Sequence, residues 1–436
     1  MAKTTEFPRA PQRYIELPDF SPPKYQKHSE YTTNLTRILK NLHPHREINI
    51  LLAYASYTGG HRSVAESLRE FFEEIPWVKV SVVNVLDHLG GKGSRNIQIA
   101  FHSFIIQRLR FLRSWAFRKA FEGNRFLYWL VNSLIKGGSW ANRSFLNRIR
   151  QEGINLVVSS GANVNSLFSY WKKKRKIEFP VYSILTDFRA HQIWAQACLD
   201  GYYVASEQVK QDLVRFGVRE EKIKITGIPI KRRFSSRLDL PKNQLRKKLG
   251  LDDDLPLILM MGGSLGLGPY EEVAASLNKL NPSVQVVFVT GTNEKMKARL
   301  LELKKQWKIP VKILAYIENL DEWIEASDIV ITKPGGVSFS EVAARKKPII
   351  RINTKSSLEN IQSQQLERIY PNFFSIQLEE LNRKVKDLLK VEAKKEALNG
   401  SGYISSIQRA ADTIGIDILE SFITRQREKQ SVKRNI

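Results

Sequence analysis

Short apolar runs of strand length alternate with stretches of helical spacing along the chain, and this alternation constrains the fold more than any other feature. Such runs, bounded by glycine or polar residues, are typical of parallel strands that are buried on both faces. The first series comprises INILLAY at 48–54 and runs at 78–83, 154–160, 180–186 and 201–206. The second series comprises runs at 256–264, 284–290, 311–316, 328–332 and 348–352. The pattern predicts an α/β protein with two Rossmann-like, doubly wound domains that face a cleft.

The chain of 436 residues exceeds what one hydrophobic core usually supports, so we expect two domains. The predicted parts are a flexible N-terminal arm at 1–44, a first domain at 45–232 with a basic aromatic insertion at 91–150, a linker at 233–255, a second domain at 256–395, and a C-terminal helix and basic tail at 396–436. The proline-rich opening has no apolar centre, so no signal peptide is predicted. No apolar run approaches the ~20 residues of a membrane span, so we expect no crossing of a bilayer.

The segment SYTGGHRSVAESL at 56–68 follows the first predicted strand and opens a helix. Backbone amides at such a turn can face an anion or a substrate oxygen. Gly59 and Gly60 form the turn, and His61 opens the helix, where its imidazole would point into the cleft. The alternative is a tight turn followed by a histidine that caps a surface helix. A dinucleotide-binding GxGxxG and a Walker lysine are both missing, which argues against a standard NAD or ATP site.

The segment LTDFRAHQIW at 185–194 also follows a predicted strand. Asp187 and His191 are four residues apart, so they share a face if the segment is helical. A carboxylate near an imidazole can orient it or raise its pKa. The alternatives are that Asp187 caps a helix, or that the pair binds a metal for which further ligands are lacking. Cys198 is the single cysteine, which excludes an intramolecular disulfide and fits a reducing cytosol.

The second series carries two glycine-rich turns at strand ends. In MGGSLGLGPYEE at 261–272, a strand becomes a loop that precedes a helix, and this geometry suits a diphosphate. The loop residues that we expect to contact the diphosphate are Gly262, Gly263 and Ser264.

In DIVITKPGGVSFSE at 328–341, the strand delivers Lys333, Gly335 and Gly336 to the cleft, and a helix is predicted to start near Ser338. Glu341 then lies one turn inside that helix. A carboxylate there can accept two hydrogen bonds from vicinal hydroxyls, as a ribose requires. The alternative is a first-turn glutamate that the helix dipole favours.

The net charge of +25 favours anionic partners such as nucleic acid or acidic lipid. The insertion at 91–150 holds twelve Lys and Arg residues against one acid, Glu122. Large aromatic residues are interspersed at Phe101, Phe104, Phe111, Trp115, Phe117, Phe121, Phe126, Tyr128, Trp129 and Trp140. Basic residues mixed with aromatics serve RNA binding or an interfacial helix on anionic lipid, and a solvated charged face is the third reading.

Taken together and in order, these segments resemble glycosyltransferase family 28, in particular its monogalactosyldiacylglycerol synthases and processive diacylglycerol glucosyltransferases. The best match is TDFRAHQIWAQACLDGYYVASEQVKQDLVRFGVREEKIKITGIPI at 186–230, and TKPGG followed by SE is the second signature. The resemblance spans about 48–352. It implies the glycosyltransferase B fold, an inverting transfer of glucose or galactose from a UDP-sugar to a diacylglycerol-type lipid, and no metal or other cofactor. It also favours lipid over nucleic acid as the partner of the insertion.

Matching positions imply roles for individual residues. His61 matches a candidate catalytic base, which Asp187 could assist. Glu341 matches the ribose-binding glutamate, and Ile317 matches the residue whose backbone reads the uracil. Further donor-side candidates are Gly262, Gly263, Ser264, Lys333, Gly335, Gly336, Ser338, Glu359 and Asn360. The acceptor-side candidates are Gly59, Gly60, His191 and Trp194. The membrane-contacting candidates are Arg108, Arg110, Arg113, Trp115, Arg118, Lys119 and Trp129.

The chain departs from the family pattern in two places. Ser56 and Thr58 stand where the family often has an acid and a glycine. The stretch NTKSSLENIQSQ at 353–364 replaces a PGQExxN-like stretch that contacts the donor sugar, and it leaves the identity of that sugar open. The expected location is peripheral, on the cytoplasmic side of a membrane. The alternatives are a transferase for an undecaprenyl-linked intermediate, a non-catalytic relative that binds nucleotide and membrane only, and a nucleic-acid-binding protein.

Overall fold

The computed structural model describes residues 47–56, 59–88, 139–236, 238, 240–280, 283–353, 357–390 and 402–434. The predicted arm at 1–44, position Thr58 and all seven membrane-contacting candidates of the insertion lie outside the described residues. Both sheets of the fold belong to one compact unit.

The first half is a six-stranded parallel sheet with the strand order β2-β1-β3-β4-β5-β6. Its strands are β1 (Ile48–Tyr54), β2 (Val78–Asn84), β3 (Leu156–Ser159), β4 (Val181–Ile184), β5 (Gly201–Val204) and β6 (Ile223–Ile225). Its helices are α1 (Gly59–Phe72), α2 (Ser139–Gln151), α3 (Ala162–Lys173) and α4 (Glu207–Arg215). The register pairs Ile48 with Val78 and Ile50 with Leu156. The five predicted strands are confirmed, whereas β6 was not predicted.

The second half repeats this architecture with the strand order β12-β11-β10-β7-β8-β9, again all parallel. Its strands are β7 (Leu257–Met261), β8 (Gln285–Val289), β9 (Val311–Leu314), β10 (Ile329–Thr332), β11 (Ile349–Ile352) and β12 (Phe373–Ile376). Its helices are α7 (Tyr270–Leu277), α8 (Glu294–Leu303), α9 (Leu320–Ala326), α10 (Gly336–Ala344), α11 (Ser357–Ile369) and α12 (Leu381–Leu389). The edge strand β12 was not predicted. The fold class predicted from the sequence is confirmed.

The segment predicted as a linker is partly helical. It contains the end of α5 (Arg232–Ser235) and the whole of α6 (Lys242–Lys248). Lys242 Nζ and Arg246 Nη2 lie 2.7 and 2.6 Å from the two carboxylate oxygens of Asp328, and Leu245 of α6 is buried. Its charged sequence therefore has a structural purpose, because these two side chains tie α6 to the second half of the molecule.

The last helix, α13 (Gly402–Arg434), packs against α1 of the first half. The Tyr203 hydroxyl donates to Asp417 Oδ2 at 2.7 Å, and Lys224 pairs with the same carboxylate. Gly415 lies against the ring of Phe71, where a Cβ atom would come within 2.2 Å of ring carbons. The C-terminal helix thus links the second half of the sequence back to the first sheet. Of the helices that the structure describes, none is both long enough and apolar enough to cross a membrane.

Candidate active site

The carboxyl ends of the two sheets meet at direct contacts between the halves. The Gly59 amide, at the start of α1, donates a hydrogen bond to Ser264 Oγ at 2.9 Å. One turn further along α1, the Ser63 hydroxyl donates to Glu341 Oε1 at 3.4 Å. Because parallel sheets bind ligands outside the carboxyl ends of their strands, the residues at these contacts form the candidate site.

Gly336 shows how closely the halves approach. A Cβ atom built on it would lie 2.0 Å from the carbonyl oxygen of Thr186 and 2.7 Å from a side-chain carbon of Ile228. No other residue type fits this distance without moving backbone. The glycine that begins α10 therefore allows the loop after β4 to lie against the N-terminus of that helix.

His61 lies in the first turn of α1 and faces the other strand ends of its own sheet. Its Nδ1 is 3.3 Å from Thr186 Oγ1, and the Ser160 hydroxyl donates to its carbonyl oxygen at 3.0 Å. Burial lowers the pKa of the imidazole, while the Asp187 carboxylate and a hydrogen bond to the Ser160 backbone act in the opposite direction. The ring is therefore biased towards the neutral form that can accept a proton.

Asp187 lies beside His61, and its neighbours come from both halves. Burial raises the pKa of its carboxyl group, and His61, a hydrogen bond from the Gln362 side chain, and Lys333 each oppose that rise. The 186–191 segment is not helical, so the condition under which Asp187 and His191 would share a helical face is not met, and Asp187 does not cap a helix. The loop turns Asp187 towards the imidazole of α1 instead.

Trp194 stands between the two histidines of the site. Its ring centroid is 6.4 Å from that of His61 and 6.1 Å from that of His191. The indole is only 2% exposed, and its Nε1 has no hydrogen-bond partner among the described residues. Burial lowers the pKa of His191 to about 4, so this imidazole is neutral at pH 7. Trp194 therefore packs near both imidazoles in the interior of the first half.

The loop between β7 and α7 is held rigidly in the position predicted for a diphosphate. Gly263 and Gly266 adopt φ angles of +70° and +53°, which glycine adopts without strain. The Ser264 carbonyl accepts hydrogen bonds from the amide and hydroxyl of Thr292 at 2.8 and 3.0 Å. A Cβ atom on Gly266 would lie 1.9 Å from the Thr290 carbonyl oxygen. The tight fit fixes the direction in which the Ser264 hydroxyl and the loop amides point.

Lys333 extends between the two glycine-rich turns of the second half. Its Cε would lie 3.1 Å from a Cβ atom on Gly263 and 3.7 Å from one on Gly335. Both glycines therefore leave room for the lysine side chain. An ammonium group beside glycine amides at the start of α10 is an arrangement that suits a diphosphate, as the sequence predicts for this turn.

Glu341 is buried within α10, which begins at Gly336, slightly before the predicted start near Ser338. Burial raises the pKa of its carboxyl group to about 7, against the opposing effects of Arg233, Lys231 and the Ser63 hydroxyl. Among the described residues, no Lys or Arg side chain lies within ion-pair distance of this carboxylate, although Arg233 and Lys231 act on it from further away. A ligand with donating hydroxyl groups would satisfy the charged form.

The remaining donor-side candidates are spread around this centre. Ile317 follows β9 and Ser338 lies in the first turn of α10, both partly buried. Asn360 does not join the cluster around Asp187, because its Oδ1 accepts a hydrogen bond from Arg351 Nη2 at 2.8 Å. Glu359 lies in α11, but its side chain is outside the described part of the structure.

Sequence reasoning missed Ser63, Thr186 and Gln362. Gln362 belongs to the stretch at 353–364 that departs from the family pattern, so the departure itself was the available signal. Ser63 lies four residues after Gly59, on the same face of α1, and this spacing could have indicated it. Thr186 immediately precedes Asp187 and gave no separate signal.

A cavity of about 470 Å³ lies elsewhere, at the amino ends of β5 and β6 beside α13. Its lining includes Asp200, Lys224, Asp417 and Arg425, whose charges are paired with one another or with neighbours. The groups predicted to bind a nucleotide and to accept a proton are at the opposite ends of the strands. We therefore assign the site to the contacts between the halves.

Comparison with known proteins agrees with this geometry. The family model for monogalactosyldiacylglycerol (MGDG) synthase matches residues 61–230, and the glycosyltransferase family 28 C-terminal domain matches residues 257–402. The processive diacylglycerol beta-glucosyltransferase of Bacillus cereus is 34% identical over 328 residues, which cover 73% of this chain and 80% of the relative. The processive diacylglycerol beta-glucosyltransferase of Bacillus pumilus is 28% identical, and the match covers 85% of this chain and 94% of the relative.

Solved structures share the fold at low sequence identity. Anabaena HepE in complex with UDP-glucose has a TM-score of 0.53 at 14% identity and covers 87% of this chain and 100% of its own. Acinetobacter baumannii MurG has a TM-score of 0.52 at 14% identity, with 86% and 99% covered. These likenesses establish the glycosyltransferase B fold. With the two matched domains and the Bacillus relatives, they lead to one conclusion: the chain belongs to glycosyltransferase family 28.

Proposed function

We propose that this protein is an inverting glycosyltransferase that moves a hexose from a UDP-sugar to a diacylglycerol-type lipid at a membrane surface. The observation that carries the proposal is that the fold brings a candidate proton acceptor from one half close to candidate donor-binding residues from the other half. The neutral-biased imidazole of His61 and the Asp187 carboxylate come from the first half, and Ser264, Lys333 and Glu341 come from the second. The names of the Bacillus relatives supply the diacylglycerol acceptor and the glucosyl donor.

The geometry supports a single displacement. The acceptor hydroxyl loses its proton to His61 while its oxygen attacks the anomeric carbon of the donor sugar. The bond from that carbon to the diphosphate oxygen breaks at the same time, so the configuration inverts. Lys333 and the amides of the two glycine-rich turns stabilise the charge that develops on the departing UDP. Because fixed protein groups carry out this task, we propose that the transfer requires no metal ion.

Glu341 fits the ribose of the donor, because its carboxylate can accept hydrogen bonds from two vicinal hydroxyls. The Ser63 hydroxyl donates to that carboxylate, and a ribose hydroxyl could take its place as the donor. We propose that the backbone of Ile317, three residues after the end of β9, reads the uracil. We propose that Trp194 and His191 lie on the acceptor side of His61, as the ring distances of Trp194 to both histidines support.

The proposal also includes peripheral attachment of the protein to a membrane. The insertion at 91–150 combines twelve basic residues with many aromatic side chains, which suits the headgroup region of an anionic bilayer. We place the protein on the cytoplasmic side of that membrane. A lipid acceptor would then pass from the bilayer into a cleft bordered by a basic, aromatic surface.

The test is transfer by the purified protein in the presence of EDTA, with anionic liposomes that contain diacylglycerol and a panel of UDP-sugars. We expect a glycosyl-diacylglycerol product, identified by mass spectrometry. His61→Ala should lower turnover by about 10²–10⁴-fold, because general-base catalysis contributes that much. UDP should still bind this variant. Normal turnover by His61→Ala would exclude the histidine as the base.

The same assay separates the alternatives. Transfer to an undecaprenyl-linked acceptor in place of diacylglycerol would select the second enzymatic function, for which the shared fold of MurG is the supporting observation. UDP binding without transfer to either acceptor would identify a non-catalytic relative. Salt-sensitive RNA binding without UDP affinity would identify a nucleic-acid-binding protein.

A further inference from the structure

The cavity beside α13 is not used by the proposed reaction. It has a volume of about 470 Å³ and lies at the amino ends of β5 and β6, on the side of the first sheet opposite to His61. Its walls come from β4, β5, β6, the turn before β6 and α13. The basic residues that line it are Arg219, Lys222, Lys224 and Arg425, and the acidic ones are Asp200, Glu221 and Asp417.

One acidic residue of the wall, Asp200, is shared by two cations. Its Oδ1 accepts a hydrogen bond from Arg425 Nη1 of α13 at 2.8 Å. Its Oδ2 accepts one from the Val181 amide at 2.8 Å and also pairs with Lys172. A single carboxylate therefore faces two positive charges, so this part of the wall keeps a positive excess.

A second acidic residue, Asp417 of α13, is satisfied from the strands. The Tyr203 hydroxyl donates to its Oδ2 at 2.7 Å, and the ammonium group of Lys224 pairs with its Oδ1. Lys224 belongs to β6, so this ion pair and the pair of Arg425 with Asp200 both join α13 to the first sheet. The cavity lies between these two pairs.

The carboxylates lie deeper than the cations that they hold. The side chains of Asp200 and Asp417 are 13% and 24% exposed, whereas those of Arg425 and Lys224 are 44% and 52% exposed. The charges that a ligand meets first are therefore positive. Among the described residues, none forms a hydrogen bond with Nε or Nη2 of Arg425, so its guanidinium group retains donors for a further anion.

Lys222 adds a positive charge that no acidic residue balances. Its Nζ donates to the carbonyl oxygens of Leu199 at 2.6 Å and Ala197 at 3.5 Å. Within the part of the chain that the structure describes, no carboxylate lies within ion-pair distance of this ammonium group. Burial and the neighbouring Arg219 lower the pKa of Lys222, and a bound anion would oppose that effect.

The strand side of the cavity carries no further negative charge. A Cβ atom on Gly201 would lie 3.0 Å from Cδ1 of Tyr182, so the glycine leaves room for the tyrosine ring. Burial raises the pKa of Tyr182 to about 12, and its hydroxyl is therefore uncharged at pH 7. An anion between the strands and α13 would meet a polar, uncharged surface there.

We infer that this cavity is a binding site for a small phosphate monoester, held by Arg425, Lys222 and Lys224. A phosphate monoester carries close to two negative charges near neutral pH and three strong acceptor oxygens, which suit the fork of an arginine and two ammonium groups. The volume lies in the range of small-molecule sites, about 300–1,000 Å³, so the cavity has room for the organic part of the ester as well. Because its ligands come from β6 and α13, an occupied site would strengthen the attachment of the C-terminal helix.

The experiment is calorimetric titration of the purified protein with glycerol 3-phosphate, glucose 6-phosphate and AMP at constant ionic strength. Saturating UDP keeps these esters out of the proposed donor site, and a Lys333→Gln background replaces UDP if the protein does not bind it. We expect at least one ester to bind with one site per chain, and its dephosphorylated counterpart not to bind. Binding of none of the three esters would overturn the inference, whether or not the protein transfers sugar.

Variants then locate the site. Arg425→Gln and Lys222→Gln should each weaken binding by about tenfold or more, because each removes a charge-assisted hydrogen bond. Arg425→Lys, which keeps the charge but loses the fork, should recover part of the loss. Arg427→Gln is the matched control, because this arginine is exposed two residues further along α13 and does not line the cavity. Lys222→Gln leaves the ion pairs of α13 intact, so its effect cannot arise from a loosened helix.

Other results would contradict the inference. Equal affinity in the parent protein and in both Gln variants would mean that the esters bind elsewhere. An equal loss in Arg427→Gln would show that only the overall positive charge attracts them. Vesicles of phosphatidylglycerol test a lipid headgroup as the source of the phosphate. If Arg425→Gln and Lys222→Gln release the protein from these vesicles while no soluble ester binds, the cavity is part of a lipid-binding surface and not a site for a small molecule.

Discussion

Among single residues, Glu341 combines deep burial with a pKa of about 7, and this combination has a cost in stability. Between its usual pKa of 4.5 and about 7, the folded protein holds a proton that the unfolded chain has released. The free energy of unfolding therefore falls as pH rises through this window, and the loss is complete above it. The shift corresponds to about 3 kcal/mol. A residue kept at such a cost is consistent with a function in binding.

We expect Glu341→Gln to raise the melting temperature at pH 8, because the variant buries no charge, and to change it little at pH 4. UDP affinity should fall in the same variant, since a charge-assisted hydrogen bond is worth about 1.5–3 kcal/mol, or roughly ten- to a hundredfold in Kd. Calorimetry gives both quantities. Exposed Glu178→Gln is the control. Equal melting temperatures at pH 8 would show that the carboxylate is satisfied within the protein, and unchanged UDP affinity would remove Glu341 from the donor site.

The sequence predicted candidate residues at strand ends, including Asp187 as a partner of His61, but it missed the contacts that Ser63 and Thr186 make. His61, Ser264 and Glu341 could be placed because a glycine turn after an apolar run marks the carboxyl end of a strand. The spacing of Asp187 and His191 predicted a shared face only for a helical segment, and the segment is not helical. The folded chain brings α1 beside the loop after β4 instead. Gln362 could not be assigned, since its partner lies in the other half of the molecule.

Among the elements, the strands in the middle of each sheet were predictable because they are buried on both faces and read as continuous apolar runs. The two missed strands, β6 and β12, are edge strands, where one neighbour is lacking and the apolar signal is weaker. Helix α6 has few apolar residues and is fixed by ion pairs to Asp328 instead, so its hydrophobic period did not reveal it. Local sequence does not contain the information that such pairs supply.

Helix α13 offers a prediction at this scale, because its contact with α1 depends on Gly415. In an exposed helix, Gly→Ala stabilises by about 1 kcal/mol. At Gly415 the added methyl group would overlap the buried ring of Phe71, so we expect Gly415→Ala to destabilise by about 1–3 kcal/mol. Urea unfolding measures the effect, with exposed Ser405→Ala as the control on the same helix. A stabilised Gly415→Ala protein would mean that α13 does not pack on α1 in this way.

At the scale of the whole molecule, we propose that the net charge of +25 acts through its position in the sequence rather than through its size. The insertion at 91–150 concentrates twelve basic residues against one acid and carries the aromatic side chains that the interface of a bilayer favours. Each Lys or Arg near an anionic surface contributes about 1 kcal/mol, and this attraction fades within a Debye length. Binding should therefore require acidic lipid and weaken with salt, while a salt-resistant part remains from the aromatic residues.

The test removes five charges from the insertion in one variant and five from elsewhere in another. The first replaces Arg108, Arg110, Arg113, Arg118 and Lys119 with Gln, and the control replaces the exposed Lys173, Lys174, Lys176, Lys304 and Lys305 with Gln. We expect only the variant with changes in the insertion to dissociate from anionic liposomes in a flotation assay. Its melting temperature should be unchanged. Its activity on a soluble short-chain acceptor should survive better than its activity on bilayers. Equal losses in both variants would mean that net charge alone drives attachment, and equal binding to neutral and anionic vesicles would show that the membrane surface lies elsewhere on the protein.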